Sequence, residues 1–229
     1  MITVISLGGS IVAPDTVDEP FLQGLVSLIR TVLEEEPQRR FIVVVGGGGP
    51  ARTWQQAYRT ISGNEVSSEQ ADWIGIMATR LNAELIRGIL GPWCTQAVVT
   101  DPTQGAFEGR VLVAAGWKPG FSSDYDAVLL AERFKADRVI NLSNIEQVYT
   151  GDPRTNTEAK PIDTISWADF RALVGDVWVP GKHVPFDPIA SRYAAQIHLS
   201  VICASGRNLE NLHKILHGEP FIGTTIGPL

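Results

Sequence analysis

Apolar residues fall into two rhythms along this chain. Short, largely apolar runs occur at Met1–Leu7, Phe41–Val45, Val111–Ala114, Arg138–Leu142 and Leu199–Ile202. They are too brief for helices and rich in β-branched side chains, which predicts strands buried on both faces of a parallel sheet. Between them the spacing changes. Asp18–Glu35 places Phe21, Leu25, Leu28, Ile29 and Val32 on one helical face, the signature of an amphipathic helix closing a strand–helix–strand unit. Further helices are predicted at Ala51–Ile61, Glu69–Leu90, Asp187–Ala195 (with Pro188 at its first position) and Asn208–Leu216. Ala97–Thr100 reads as one more short strand and Phe221–Ile226 as a closing one. Val179–Phe186, with Pro180, Gly181 and Pro185, reads as irregular. The alternation predicts an α/β fold. No repeat, low-complexity tract or linker divides it, so residues 1–229 are expected to form one domain.

Charge narrows the function. The 229 residues carry a formal net charge of −6, with acids and bases interspersed. This argues against a nucleic-acid polymer or membrane surface as partner, since either would be drawn by a basic field. An acidic protein that holds phosphates must do so with local donors and a metal ion. Cys94 and Cys203 stand far apart in no paired motif and are expected to be reduced, buried thiols. No signal-like segment or membrane-length apolar run is seen, so a soluble cytoplasmic protein is expected.

Candidate chemistry sits where strands end. The run FIVVV passes directly into Gly46–Gly49, and Met1–Leu7 into Gly8-Gly9-Ser10. Glycines let backbone N–H groups approach a bound group, and a helix start beyond them adds a partial positive charge. Two such turns can lie side by side at the carboxyl edge of one sheet, where α/β proteins bind ligands. The run matches neither the GxxxxGK[ST] loop nor GxGxxG. Glu69–Leu90 carries Asp72, Trp73, Thr79, Arg80 and Asn82, of which Asp72 and Arg80 are functional candidates by residue type. Gly116–Asp124 reads as a loop entering a helix, capped by Ser122 or Ser123. Asp124 and Asp126 both suit the first helical turn, and residue type does not choose between them. Tyr149–Arg154 is a turn by its chemistry.

Six segments in order, ISLGGS, VVVGGGGPAR, DWIGIMATRLNA, PGFSSDYDAVLLAE, SNIEQVYTGDPR and GTTIGP, resemble the amino-acid-kinase superfamily, and within it the archaeal-type uridylate (UMP) kinases. The resemblance spans nearly the whole chain. It implies a three-layer α/β/α sandwich with a mostly parallel central sheet, and transfer of the γ-phosphoryl group of Mg-ATP to UMP. It also implies a homo-oligomer, usually a hexamer in this branch. By motif, Gly9 and Ser10 would meet the ATP phosphates. Gly47 would approach the UMP phosphate, with Gly48 and Arg52 at the transfer position. Asp72 would bind the UMP ribose, and Trp117, Lys118, Pro119, Gly120, Phe121, Ser122 and Ser123 would wrap the UMP. Asp124 would order donor and acceptor, and Ser143, Tyr149 and Asp152 would line the adenosine side. Mg²⁺ would be held through the ATP phosphates rather than by a protein cage.

Three departures stand out. Many members place Lys before the first glycines, as KxGG, where this chain has Ser6; Arg52, Lys118 or Lys182 would have to supply the missing cation. Gly49-Pro50 replaces a usual Lys. Glu146-Gln147 replaces the Asp-Gly of NVDGVY, so a turn that favours φ > 0 must be rebuilt. Asp126 has no implied role. Two alternatives follow: a kinase for another small acid or phosphate, or a nucleotide-binding regulatory or storage protein without turnover. An isopentenyl phosphate kinase would need a His after the second glycine loop. Here His183, His198, His213 and His217 all fall late.

Overall fold

The computed structural model describes residues 1–177 and 184–228. The strands are β1 (Ile2–Leu7), β2 (Arg40–Val45), β3 (Val111–Ala114), β4 (Arg138–Ser143), β5 (Val148–Tyr149), β6 (Pro161–Ile162), β7 (Thr164–Ser166), β8 (Val201–Ser205) and β9 (Thr224–Gly227). The helices are α1 (Gly9–Val12), α2 (Glu19–Glu35), α3 (Gly48–Ser62), α4 (Ser68–Leu90), α5 (Ser123–Phe134), α6 (Trp167–Val174), α7 (Pro188–Gln196) and α8 (Leu209–His217).

Seven strands form one sheet in the order β3-β2-β1-β4-β8-β9-β7, and β5 and β6 form a separate antiparallel pair. Every pairing in the large sheet is parallel except β8 with β9. The apolar runs are short because both faces are covered. Along β2, Phe41, Val43 and Val45 join a core with α2, α4 and α8, whereas Ile42 and Val44 join a second core with α5, α6 and α7. The expected three layers follow from this alternation.

Local boundaries shift for identifiable reasons. Expected to start at Ala51, α3 begins three residues earlier, with Pro50 in its first turn, where a missing N–H costs nothing. The Gly8–Ser10 turn continues directly into the short helix α1. Ala97–Thr100 does not form a strand, for only Val99 bridges to Ala114. The Leu199–Ile202 run is shifted to β8, Val201–Ser205. Ser122 is the cap of α5, accepting from the Tyr125 N–H at 3.2 Å. Of Val179–Phe186, residues 179–183 lie outside the described residues, and with them Lys182 and His183. Cys94 and Cys203 are free and buried as expected, and burial pushes the Cys203 thiol up to about 12. Among the described residues, no helix is long and apolar enough to cross a membrane.

Candidate active site

Parallel pairing of β1 with β2 and β4 delivers their carboxyl ends to one edge, where the two glycine loops meet backbone to backbone. Gly48 has φ of +66°, and a Cβ there would lie 2.3 Å from the Ala13 carbonyl oxygen. A Cβ on Gly9 would lie 2.0 Å from the Gly48 nitrogen. The loops therefore need glycine in order to pack on each other, quite apart from any ligand. Across the junction, Ser10 Oγ donates to Asn144 Oδ1 at 2.9 Å, tying the first loop to the chain after β4.

The crowding of polar groups on α4 now has an account. Asn82, buried, donates through Nδ2 to the carbonyls of Gly46 and Gly47 at 2.9 and 3.2 Å. Thr79 Oγ1 accepts from the Gly116 N–H at 2.8 Å, and Arg80 Nη2 donates to the Gly116 and Trp117 carbonyls at 3.4 and 3.1 Å. Asp72 Oδ2 accepts from the Gly120 N–H at 3.1 Å. One helix thus grips the second glycine loop and both ends of the 116–120 loop. Thr79 and Asn82 were not singled out from the sequence, because their partners are main-chain groups that no motif displays.

These elements enclose a cavity of about 350 Å³, within the range of small-molecule sites. Its walls include Gly46, Gly47, Asp72, Gly120, Phe121, Ser122 and Ser123, with Asp187 at one side. Of the residues expected around the acceptor, Trp117, Lys118 and Pro119 do not line this cavity. Trp117, Phe121 and Tyr125 form a ring series with centroids 5.0 Å apart at each step, and Lys118 Nζ lies 3.8 Å over the Trp117 ring. A cation held on that ring face is committed to the loop itself.

Two carboxylates from the first turn of α5 flank the site. Asp124 accepts from Ser6 Oγ at 2.9 Å and from the Asp187 N–H at 3.2 Å. Ser6, at the position where the resemblance led us to expect Lys, is thus a neutral donor to this acid. Burial, followed by the Asp187 charge, pushes Asp124 up to about 6, against the pull of these hydrogen bonds. Asp126 is buried; its Oδ2 accepts from the Trp117 N–H at 3.2 Å, and its Oδ1 has no partner among the described residues. Burial, reinforced by the charges of Asp124 and Asp101, raises it to about 7. The two acids differ in their partners: Asp124 ties β1 to the start of α7, and Asp126 holds the loop.

The remaining candidates do not converge on the cavity. Arg52, exposed on α3, donates to the Pro14 carbonyl at 2.8 Å. Ser143 Oγ accepts from the Ile145 N–H at 3.4 Å. Tyr149 in β5 pairs with Pro161 of β6, and Asp152 is bound by Arg154 through both oxygens, which lowers its pKa to about 2. Gln147 replaces the expected glycine without positive φ, and its Nε2 donates to Asp163 Oδ1 at 2.9 Å and the Gly223 carbonyl at 3.2 Å. The altered turn is held by side-chain bonds instead.

Comparison with known proteins places these features in context. Residues 1–205 match the model of the amino acid kinase family. The chain is 34% identical over 227 residues to the uridylate kinase of Methanospirillum hungatei, covering 97% of this chain and 93% of that protein. It is also 34% identical over 227 residues to the uridylate kinase of Thermoplasma volcanium, covering 97% and 96%. The crystal structure of uridylate kinase from Archaeoglobus fulgidus superposes with a TM-score of 0.82 at 33% identity, covering 99% of this chain and all of that one.

Proposed function

The chain belongs to the amino acid kinase family, and from that membership and the geometry of the site we propose that it moves the γ-phosphoryl group of ATP onto UMP, giving UDP and ADP. One observation carries this reading. A second glycine loop, a helix start, a ribose-suited carboxylate and a serine-rich loop face one cavity, with Gly47, Asp72 and Gly120–Ser123 on its walls.

Catalysis here is positioning and charge stabilisation, with little covalent work for the protein. Backbone N–H groups at the amino end of α3 favour an anion at Gly47 and Gly48. Asp72 accepts from ribose hydroxyls, and Gly120–Ser123 close over the acceptor. Asp124 organises the junction, since it already joins β1, α5 and the start of α7. On the donor side, Gly9 and Ser10 meet the ATP phosphates, and Ser143, Tyr149 and Asp152 flank the adenosine, the last once Arg154 turns aside. Arg52 reaches the transferring phosphoryl group by leaving the Pro14 carbonyl, a swap available to an exposed guanidinium. No ring of acids surrounds the glycine loops among the described residues, and this donor set fits Mg²⁺ that arrives on the nucleotide. Bound there, the ion would neutralise phosphate charge.

Both cores pack on one sheet, which supports residues 1–229 acting as one domain. Self-association is supported by an apolar surface: Trp54 and Ile61 on α3, and Met77 and Leu81 on α4, are all more than half exposed.

The deciding experiment is an ADP-release assay with Mg-ATP and UMP, CMP, dUMP, acetylglutamate or isopentenyl phosphate as acceptor. Turnover with UMP is expected. Turnover only with another acceptor would overturn the substrate, and nucleotide binding without any turnover would overturn the kinase.

A further inference from the structure

A second cluster lies at the other edge of the sheet, remote from the glycine loops, where α2 ends before β2 begins. His213 and His217 are one helical turn apart on α8, their rings stacked with centroids 4.1 Å apart and planes inclined by 26°. Glu35, the last residue of α2, faces them. One ligand atom from each of the three lies within 4.8 Å of the others. Both histidines fall beyond the residues that match the family model.

The hydrogen bonding of His217 makes this more than proximity. Its Nδ1 is 2.9 Å from the His213 carbonyl oxygen. A carbonyl only accepts, so Nδ1 carries the proton, and Nε2 of the neutral ring presents a lone pair. That lone pair faces acceptors: Glu35 Oε2 at 3.7 Å and Glu36 Oε1 at 3.9 Å. At those separations the lone pair and the carboxylate oxygens leave room for a bridging group, and a metal ion is one that both can bind directly. The nearby cations are otherwise engaged. Arg39 takes Glu36 Oε1 at 3.1 Å and the Leu216 carbonyl at 2.6 Å, and Lys214 pairs with Glu210 at 2.9 Å. Among the described residues, Glu35 has no Lys or Arg partner. The carboxyl ends of α2 and α8 both close here, and each adds partial negative charge.

We propose that His213, His217 and Glu35 form a site for a divalent transition-metal ion of the zinc class, distinct from the Mg²⁺ that accompanies the nucleotide. Two imidazoles and a carboxylate are a donor set of zinc type, and the fourth position opens to solvent. Paired histidines at i and i+4 put both rings on one side of a helix. The Nδ1–H to carbonyl bond of His217 is the outer support that ligating histidines use to fix their tautomer. Bonds of about 2.0–2.2 Å require the side chains to draw together, and Glu35, with 54% of its side chain exposed, is free to do so. A bound ion would clasp the end of α2 to the end of α8, stabilising the folded chain by mass action.

The test is calorimetric titration of Zn²⁺ into chelator-stripped, nucleotide-free protein, with melting curves and the Co²⁺ visible spectrum alongside. One saturable equivalent, a raised Tm and a tetrahedral Co²⁺ spectrum are expected. His213→Ala and His217→Ala should each weaken binding about tenfold or more. Should either loosen α8, Glu35→Gln alters only an exposed carboxylate and should still lower affinity and the Tm gain. Absence of saturable binding would overturn the site. Affinity unchanged in the histidine variants and in Glu35→Gln would equally overturn it, by placing the ion on other donors.

Discussion

Asp126 and Asp124, two residues apart, have the same side chain and opposite legibility. A motif suggested a role for Asp124; Asp126 had none until the Trp117 N–H proved to donate to it. A raised carboxyl pKa means the folded chain holds a proton that the unfolded chain has lost, so stability falls as pH rises between the two values. For Asp126 that window runs from the ordinary carboxylate range near 3.8 to about 7. Asp126→Asn keeps an acceptor for the Trp117 N–H and removes the titration. The unfolding free energy of the variant relative to the parent should climb from pH 4 to pH 7 and then level off, with a slope of at most about 1.4 kcal/mol per pH unit. A difference flat across that range would show that Asp126 does not titrate there. Asp124→Asn is expected to lower kcat by about two to three orders of magnitude, the scale of one preorganised electrostatic group, while nucleotide binding stays measurable. A near-normal kcat would remove Asp124 from the chemistry.

At the level of elements, the periodicity of the chain was sufficient for most strands and helices, because burial on one stripe or on two faces leaves a direct imprint on residue order. It failed at Ala97–Thr100, where apolar composition met a loop that supplies only one bridge, and at the start of α3, where Gly48 and Pro50 disguise helical residues. The role of α4 was half legible. Asp72 and Arg80 stood out by charge, whereas Thr79 and Asn82 act on carbonyl and N–H groups that a sequence never shows. Because Asp72 meets the acceptor loop and not the β4 side, Asp72→Ala should raise the KM for UMP more than that for ATP. A larger change in the ATP constant would mean that donor and acceptor pockets are interchanged.

For the molecule as a whole, sheet polarity sorts the chemistry, placing the glycine loops, α4 and the start of α5 at one edge. Assembly is a matter of the surface. Met77, Leu81 and Leu85 recur every four residues along α4, on the side opposite Asp72 and Thr79, and Trp54 and Ile61 share a face of α3. Leu81→Glu should shift the protein to smaller species in sedimentation velocity; an unchanged distribution would overturn this surface as a subunit contact. That same rod has a consequence for how the enzyme would respond to dilution. Its inner side holds the acceptor loop, and its outer side is what a neighbouring subunit would press upon. Any neighbour that changes the affinity for UMP must have its own hold changed by UMP in the same ratio, so substrate and protein concentration become two handles on a single equilibrium.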